Sequence, residues 1–275
     1  MIAYPYGDAP AQVADLYLPA EPRGAPVIVL LHGGFWSAGF DRSLEAGLAA
    51  DLVTGGYAVW NLDYRAVGDG GGWPTTLQDV ASGCDALVQV GLDHGLALAD
   101  VATVGHSAGG QLALWSAGRH RLPAGSPGAG PRLRPALAVS QAGVNDLVQA
   151  HALGLGDDAV AAFLDVPAGT DLRTHPAQRH LVASPVELLP LGVPTLVVTG
   201  DVDDRVPAAQ STGYAALARA AGDDVTLEVV SGEGHFEHLE VDSQVWGRTR
   251  SWLDGRLQPG RRRPVRTGWP SAPTA

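Results

Sequence analysis

The sequence predicts an α/β fold, a mostly parallel twisted sheet covered by helices on both faces. Three observations point there. Short runs rich in Val, Leu and Ile alternate with longer helical segments along most of the chain. Some of the short runs are apolar at every position rather than at alternate ones, the pattern of strands buried on both faces. The chain has 275 residues, of which 45% are hydrophobic and 17% charged. That composition excludes disorder, and a single domain of this length buries about 75% of its unfolded surface.

Taken in order, Val13 to Leu18 alternates and reads as an early strand, and Val27 to Leu31 is a continuous apolar run. Asp41 to Thr54 reads as a helix, with Asp41 as N-cap and Gly55-Gly56 as its stop. Tyr57 to Leu62 is the next strand, Thr75 to Asp93 a long amphipathic helix, Val101 to Val104 a short strand and Ser107 to Gly118 a helix. Ala136 to Ser140, Thr195 to Thr199 and Val225 to Val230 supply three more strands. Helices at Ala208 to Ala221 and Glu240 to Leu253 follow the last two. Strand–helix alternation at this spacing implies right-handed crossovers. Two stretches break the rhythm. Leu122 to Arg134 is rich in Gly, Pro and Ser and reads as a surface loop. Residues 145–189 carry helical pieces at Asp157 to Leu164 and His175 to Val182 but no strand, and read as a small cap-like insertion over one end of the sheet. The domain is expected to span residues 1–255, with 256–275 a flexible Pro/Arg-rich tail.

Composition narrows the chemistry. All 18 Lys+Arg residues are arginine, which excludes Schiff-base and pyridoxal phosphate attachment, a P-loop lysine and a Ser-Lys dyad. The net charge of −11 repels phosphate backbones, so no nucleic acid partner is expected. The single cysteine, Cys84, falls in the long helix and reads as a small buried core residue. No basic and apolar leader opens the sequence and no apolar run is long enough to span a bilayer. A cytoplasmic protein without a membrane role is therefore the expectation.

The sharpest motif is Gly105-His106-Ser107-Ala108-Gly109, a G-x-S-x-G that follows an apolar strand and opens a helix. So tight a turn leaves no room for side chains two residues before and after the serine, and Gly105 and Gly109 meet that need. Ser107 is then presented at the end of a strand, with the Ala108 amide at a helix N-terminus that favours negative charge. A second oxyanion donor can come from Gly33, Gly34 or Phe35, in His32-Gly33-Gly34-Phe35-Trp36 directly after a strand. His32 itself reads as a loop brace. A serine nucleophile needs a base, and the base an orienting carboxylate. Asp203, after the Thr195 strand, and His235, after the last strand, give the order Ser, Asp, His on loops at one sheet edge. Asp146, after another strand, is the alternative acid. Asp201 and Asp204 are expected to face solvent or cap a helix.

With these motifs the chain resembles the α/β-hydrolase superfamily, and within it the esterase, arylformamidase (kynurenine formamidase) and prolyl-oligopeptidase-like branch. The resemblance covers about residues 5–254. It is carried by His32-Gly-Gly-Phe-Trp36, Asn61-Leu-Asp-Tyr-Arg65, the Ser107 elbow, Ala183-Ser-Pro185, Gly200-x-x-Asp203-x-x-Val-Pro207 and Gly234-His235-Phe236. It implies Asp203 as the acid and His235 as the base. The Trp-bearing loop is more similar to that of arylformamidases, with Phe35 standing where hormone-sensitive-lipase-like esterases have a third glycine.

The expected activity is hydrolysis of a small or aromatic carboxylic ester through an acyl-enzyme. Amide hydrolysis of the arylformamidase type, peptide cleavage and a non-catalytic small-molecule receptor on the same scaffold are the alternatives. The expected partner is a small-molecule ester or amide. Trp36 and Trp73 flank the site loops, either as pocket walls or as struts holding the insertion. Arg65 reads as a structural partner of Asp63, with binding of a substrate carboxylate as its other role. His238, three residues past His235, lacks a third ligand at metal-binding spacing and is expected on the surface, so no metal and no cofactor are expected.

Overall fold

The computed structural model describes residues 1–259. Its centre is one eight-stranded sheet in the order β1-β2-β4-β3-β5-β6-β7-β8. The strands are β1 (Ile2–Pro5), β2 (Val13–Tyr17), β3 (Pro26–Leu31), β4 (Ala58–Leu62), β5 (Ala97–His106), β6 (Leu137–Gln141), β7 (Thr195–Gly200) and β8 (Val225–Val230). β1 and β2 pair antiparallel, β2 pairs antiparallel with β4, and every later pairing is parallel. β3 shows why such strands read as unbroken apolar runs. Val27, Val29 and Leu31 enter the core on one face, while Ile28 and Leu30 enter the core on the other.

The helices are α1 (Ala46–Thr54), α2 (Thr75–His94), α3 (Ala108–Gly118), α4 (Leu147–Ala152), α5 (Ala159–Phe163), α6 (His180–Ala183), α7 (Ala209–Ala220) and α8 (Gln244–Leu257). α2 and α3 join the core that holds Trp60 and Trp115, while α1 and α8 join the core that holds Tyr57 and Trp246. Cys84 is buried beside Ser116, and burial raises its thiol to about 11, as fits a core residue rather than a reactive one.

The fold class is as the sequence predicts, with differences at the ends of elements. β1 had no signal, because it is a mostly exposed edge strand without apolar alternation. β5 runs ten residues, its first half only partly buried and therefore lacking the apolar run of the second. The helix expected from Asp41 begins as a 3₁₀ turn over Arg42–Glu45, capped by Asp41 through Ser43 N–H at 2.8 Å, and becomes α-helical at Ala46. α8 continues to Leu257, and Arg256 stacks its guanidinium on Trp252. The rest of the expected tail, residues 260–275, lies outside the described residues. Residues 145–189 carry α4, α5 and α6 with no strand. α4 was not anticipated, and α6 begins five residues later than expected.

Candidate active site

Four strands end at one edge and deliver four loops. The loop after β3 carries His32 to Phe40, the turn after β5 carries Ser107, the loop after β7 carries Asp203, and the loop after β8 carries His235. In parallel sheets this carboxyl edge is where ligands bind.

Ser107 has φ 58° and ψ −121°, a conformation costing about 1–3 kcal/mol for a residue with a side chain. The surroundings hold it there. Its N–H donates to the Gln141 carbonyl at 2.8 Å, and its carbonyl accepts from Gly110 N–H at 2.9 Å. The glycines of the elbow are sterically required. A Cβ on Gly105 would lie 2.1 Å from the Gly109 carbonyl oxygen, and one on Gly109 would lie 1.8 Å from that of Leu31. Ala108 opens α3, so its N–H is among the first-turn amides with no acceptor in the helix.

The loop after β3 packs against this turn. A Cβ on Gly33 would sit 3.1 Å from Ser107 Cβ. Gly34, Phe35 and Trp36 follow with φ of 104°, 49° and 56°, three consecutive left-handed residues of which two carry side chains. Strain concentrated in this way marks a loop shaped by its surroundings. His32 braces it. One ring nitrogen bonds the Gly33 carbonyl at 2.8 Å and the other meets Asp63 at 3.2 Å. The ring stacks on Tyr64, whose hydroxyl donates to the His32 carbonyl.

On the other side, His235 Nδ1 and Asp203 Oδ2 are 2.8 Å apart, and both side chains are almost wholly buried. Asp203 Oδ1 accepts from the N–H groups of Arg205 (2.8 Å) and Val206 (2.9 Å). Burial pushes this carboxyl up, but the His235 bond and the two amide bonds outweigh it and hold it below its ordinary value. Gly200 lets the two loops meet, since a Cβ there would lie 1.8 Å from the Glu233 carbonyl oxygen. The structure thus brings the loops of Ser107, Gly33, Asp203 and His235 together. Asp146 caps α4, accepting from Val148 and Gln149 N–H at 2.9 and 3.0 Å.

The family model BD-FAE matches residues 14–217. The chain belongs to the BD-FAE family. Solved structures similar to this BD-FAE member share the α/β-hydrolase fold found here. One is a truncated carbohydrate esterase from gut microbiota (19% identity, 94% of this chain and 97% of that chain covered, TM-score 0.77). Another is esterase B from Lactobacillus rhamnosis (23%, 93% and 83%, 0.77). A third is a thermophilic esterase from the Planctomycetes species Thermogutta terrifontis (18%, 94% and 93%, 0.73). No curated protein sequence matches the chain.

Several expectations are corrected in this BD-FAE chain. Trp36 has no exposed surface. It stacks on Phe163 of α5 at 4.4 Å and donates from Nε1 to Gln111 at 2.9 Å, so of its two expected roles it fills that of strut. Trp73 is partly buried, with the Arg179 guanidinium 5.7 Å from its ring, again a contact with the insertion. Arg65 pairs with Asp79 rather than Asp63, through two bonds of 2.8 and 2.7 Å. Asp63 instead receives Arg42 at 2.9 Å. Asp201 does face solvent, where its carboxylate ties Ser231 and Gly232. His238 is fully buried rather than at the surface, because the 3₁₀ turn Phe236–Leu239 rotates it inward. Burial, reinforced by His106 and His235, holds its ring well below the ordinary value. Among the described residues no group of three or more His, Cys, Asp or Glu is arranged to hold a metal, and no helix is long and apolar enough to cross a membrane.

Sequence reasoning missed His106, the residue between Gly105 and Ser107. Its ring lies 4.5 Å from that of His235 and 5.8 Å from that of His238. An imidazole beside a candidate nucleophile was the only available signal. Phe40, whose ring occupies the space a Gly34 side chain would need, is an exposed aromatic that sequence also did not single out, and Phe236, read there only as part of the His235 motif, is exposed and edge-on to His235 at 5.2 Å.

Proposed function

We propose that the protein is a serine hydrolase of small carboxylic esters. The observation that carries the reading is the buried 2.8 Å Asp203–His235 pair, set beside an elbow that holds Ser107 in a strained conformation. The esterase names of the similar structures support it. Ser107 Oγ attacks the ester carbonyl carbon while His235 Nε2 takes its proton. Asp203 holds the ring with Nδ1 protonated and stabilises the imidazolium. The tetrahedral oxyanion is met by the Ala108 amide and by an amide of the Gly33 to Phe35 loop, each such donor supplying about 2.7–4 kcal/mol. His235 returns the proton to the departing alcohol oxygen. Water then repeats the sequence on the acyl-enzyme and releases the carboxylic acid and free Ser107. Nothing in this cycle requires a cofactor.

Side-by-side turnover of aryl acetates, N-formyl anilines and short peptides tests the substrate class. Turnover of the acetates, lost at least ~10³-fold in a folded Ser107→Ala protein, is the expected result. Formanilide turnover exceeding acetate turnover would transfer the assignment to the arylformamidase type. A folded protein inert towards every member would overturn the reading and leave the receptor alternative standing. Full activity in Ser107→Ala would remove the mechanism.

A further inference from the structure

His106 touches three of the four loops of the site. It precedes Ser107 in the elbow. A Cβ on Gly33 would lie 2.9 Å from its carbonyl oxygen and 3.2 Å from its Nδ1, so the loop after β3 rests on it. Its Nε2 lies 2.8 Å from the main-chain carbonyl oxygen of His235, a contact spanning 129 residues of sequence. We propose that His106 is a positioning residue for the general base, whose Nε2–H holds the His235 backbone at a fixed distance from the elbow that carries Ser107.

This inference rests on the assignment of His235 as the base and adds what that assignment leaves open. Asp203 sets the rotation of the His235 ring through Nδ1, but a ring hinged on a free backbone could still drift away from the nucleophile. The His106 bond removes that freedom. It ties the base loop to the residue adjacent to Ser107, so nucleophile and base are located by the same turn. A displacement of about 1 Å in such a pair costs on the order of 10²-fold in rate.

The geometry also dictates the tautomer. A carbonyl only accepts, so Nε2 must carry the proton and, in the neutral ring, Nδ1 carries none. Nδ1 is buried with no hydrogen-bond partner among the described residues. A second proton there would be an N–H without an acceptor, next to the rings of His235 and His238. Burial first, and then the His235 charge, push the His106 ring down to about 3, against a smaller opposing pull from the His235 carbonyl and Asp203. His106 is thus a neutral donor throughout the working range, and His235 gains its proton beside an uncharged ring.

Two substitutions and one measurement on the unaltered protein test this. A glutamine places its amide nitrogen about where imidazole Nε2 lies and can donate the same bond, whereas phenylalanine keeps a ring but cannot donate. With aryl acetate, His106→Gln should stay within ~5-fold of the wild type in kcat, and His106→Phe should lose about 10²-fold in kcat with KM little changed. The proposal is overturned if folded His106→Phe keeps wild-type kcat, or if His106→Gln falls as far as His106→Phe. Should the Phe variant fail to fold, ¹⁵N-histidine NMR of the wild type decides. One ring that stays neutral with Nε2 protonated from pH 8 to about 5, and that disappears in His106→Gln, is expected; an Nδ1-protonated or titrating His106 refutes the proposal. Failure of the underlying reading is separate, because it would show as no aryl acetate turnover in the unaltered protein or as retained activity in Ser107→Ala, whereas the His106 tautomer is read by NMR in either case.

Discussion

Replacing Asp203 by asparagine changes one atom, and the structure says which way the new side chain must turn. In the wild type Oδ2 receives His235 Nδ1–H, while Oδ1 receives two main-chain N–H groups, those of Arg205 and Val206. Asparagine has one oxygen and one NH₂. If the NH₂ faced the two amides, two donors would lose their acceptor, at about 1–3 kcal/mol each. The oxygen therefore stays on the amides and the NH₂ faces His235. Nδ1 must then accept, which moves the ring proton to Nε2, the atom that has to take the proton of Ser107. A base in the wrong tautomer costs up to ~10⁴-fold in kcat, or about 5.4 kcal/mol of barrier. The two retained amide bonds keep the loop in place, so the melting temperature should change little. Two controls bracket the result. Asp204, largely exposed and paired with Arg205 at 3.5 Å, should tolerate asparagine with near wild-type kinetics. Asp146→Asn should do the same, since asparagine caps helices as well as aspartate does. Steady-state kinetics on aryl acetate, with folding followed by circular dichroism, measures all three. A large kcat loss at Asp146 with Asp203→Asn nearly unaffected would refute the assignment and move the acid to the loop after β6.

Glu45 is fully buried, neither carboxyl oxygen has a hydrogen-bond partner among the described residues, and burial raises it from an ordinary 4.5 to about 8. The unfolded chain therefore releases this proton first, and stability falls as pH rises from about 4.5 to about 8, by on the order of 5 kcal/mol. Glu45→Gln should flatten that fall, read from urea unfolding at pH 5 and pH 8; parallel losses in the two proteins would dismiss the idea. Gly200→Ala places a Cβ 1.8 Å from the Glu233 carbonyl oxygen, so it should lower both the melting temperature and kcat by displacing the His235 loop. Unchanged values in both would mean that the loops are not held this closely. Activity should survive exhaustive chelation, since Ser-His-Asp hydrolysis uses no metal; loss with a chelator that zinc restores would point to metal chemistry instead.

The sequence alone determined what depends on neighbouring residues. Apolar runs with period two or none marked β3, β4, β6, β7 and β8 to within a residue or two, because a strand's burial is written in its own side chains. The elbow was legible for a similar reason: Gly105 and Gly109 meet each other and the end of β3 at distances no Cβ permits. β1 and the first half of β5 were not legible, because an exposed edge and a half-covered strand need no apolar pattern. What only the tertiary structure decided were pairings between residues far apart in the chain. Arg65 had two aspartates to choose from, and α2 brought it Asp79 while β2 and the turn before α1 brought Arg42 to Asp63. Trp36 became a strut because α5 arrived on its face. His238 turned inward, and His106 found the His235 carbonyl across 129 residues. Local sterics act within a few residues and leave their mark in sequence. A hydrogen bond between distant loops depends on where the whole sheet puts their ends, and no window of sequence contains that distance.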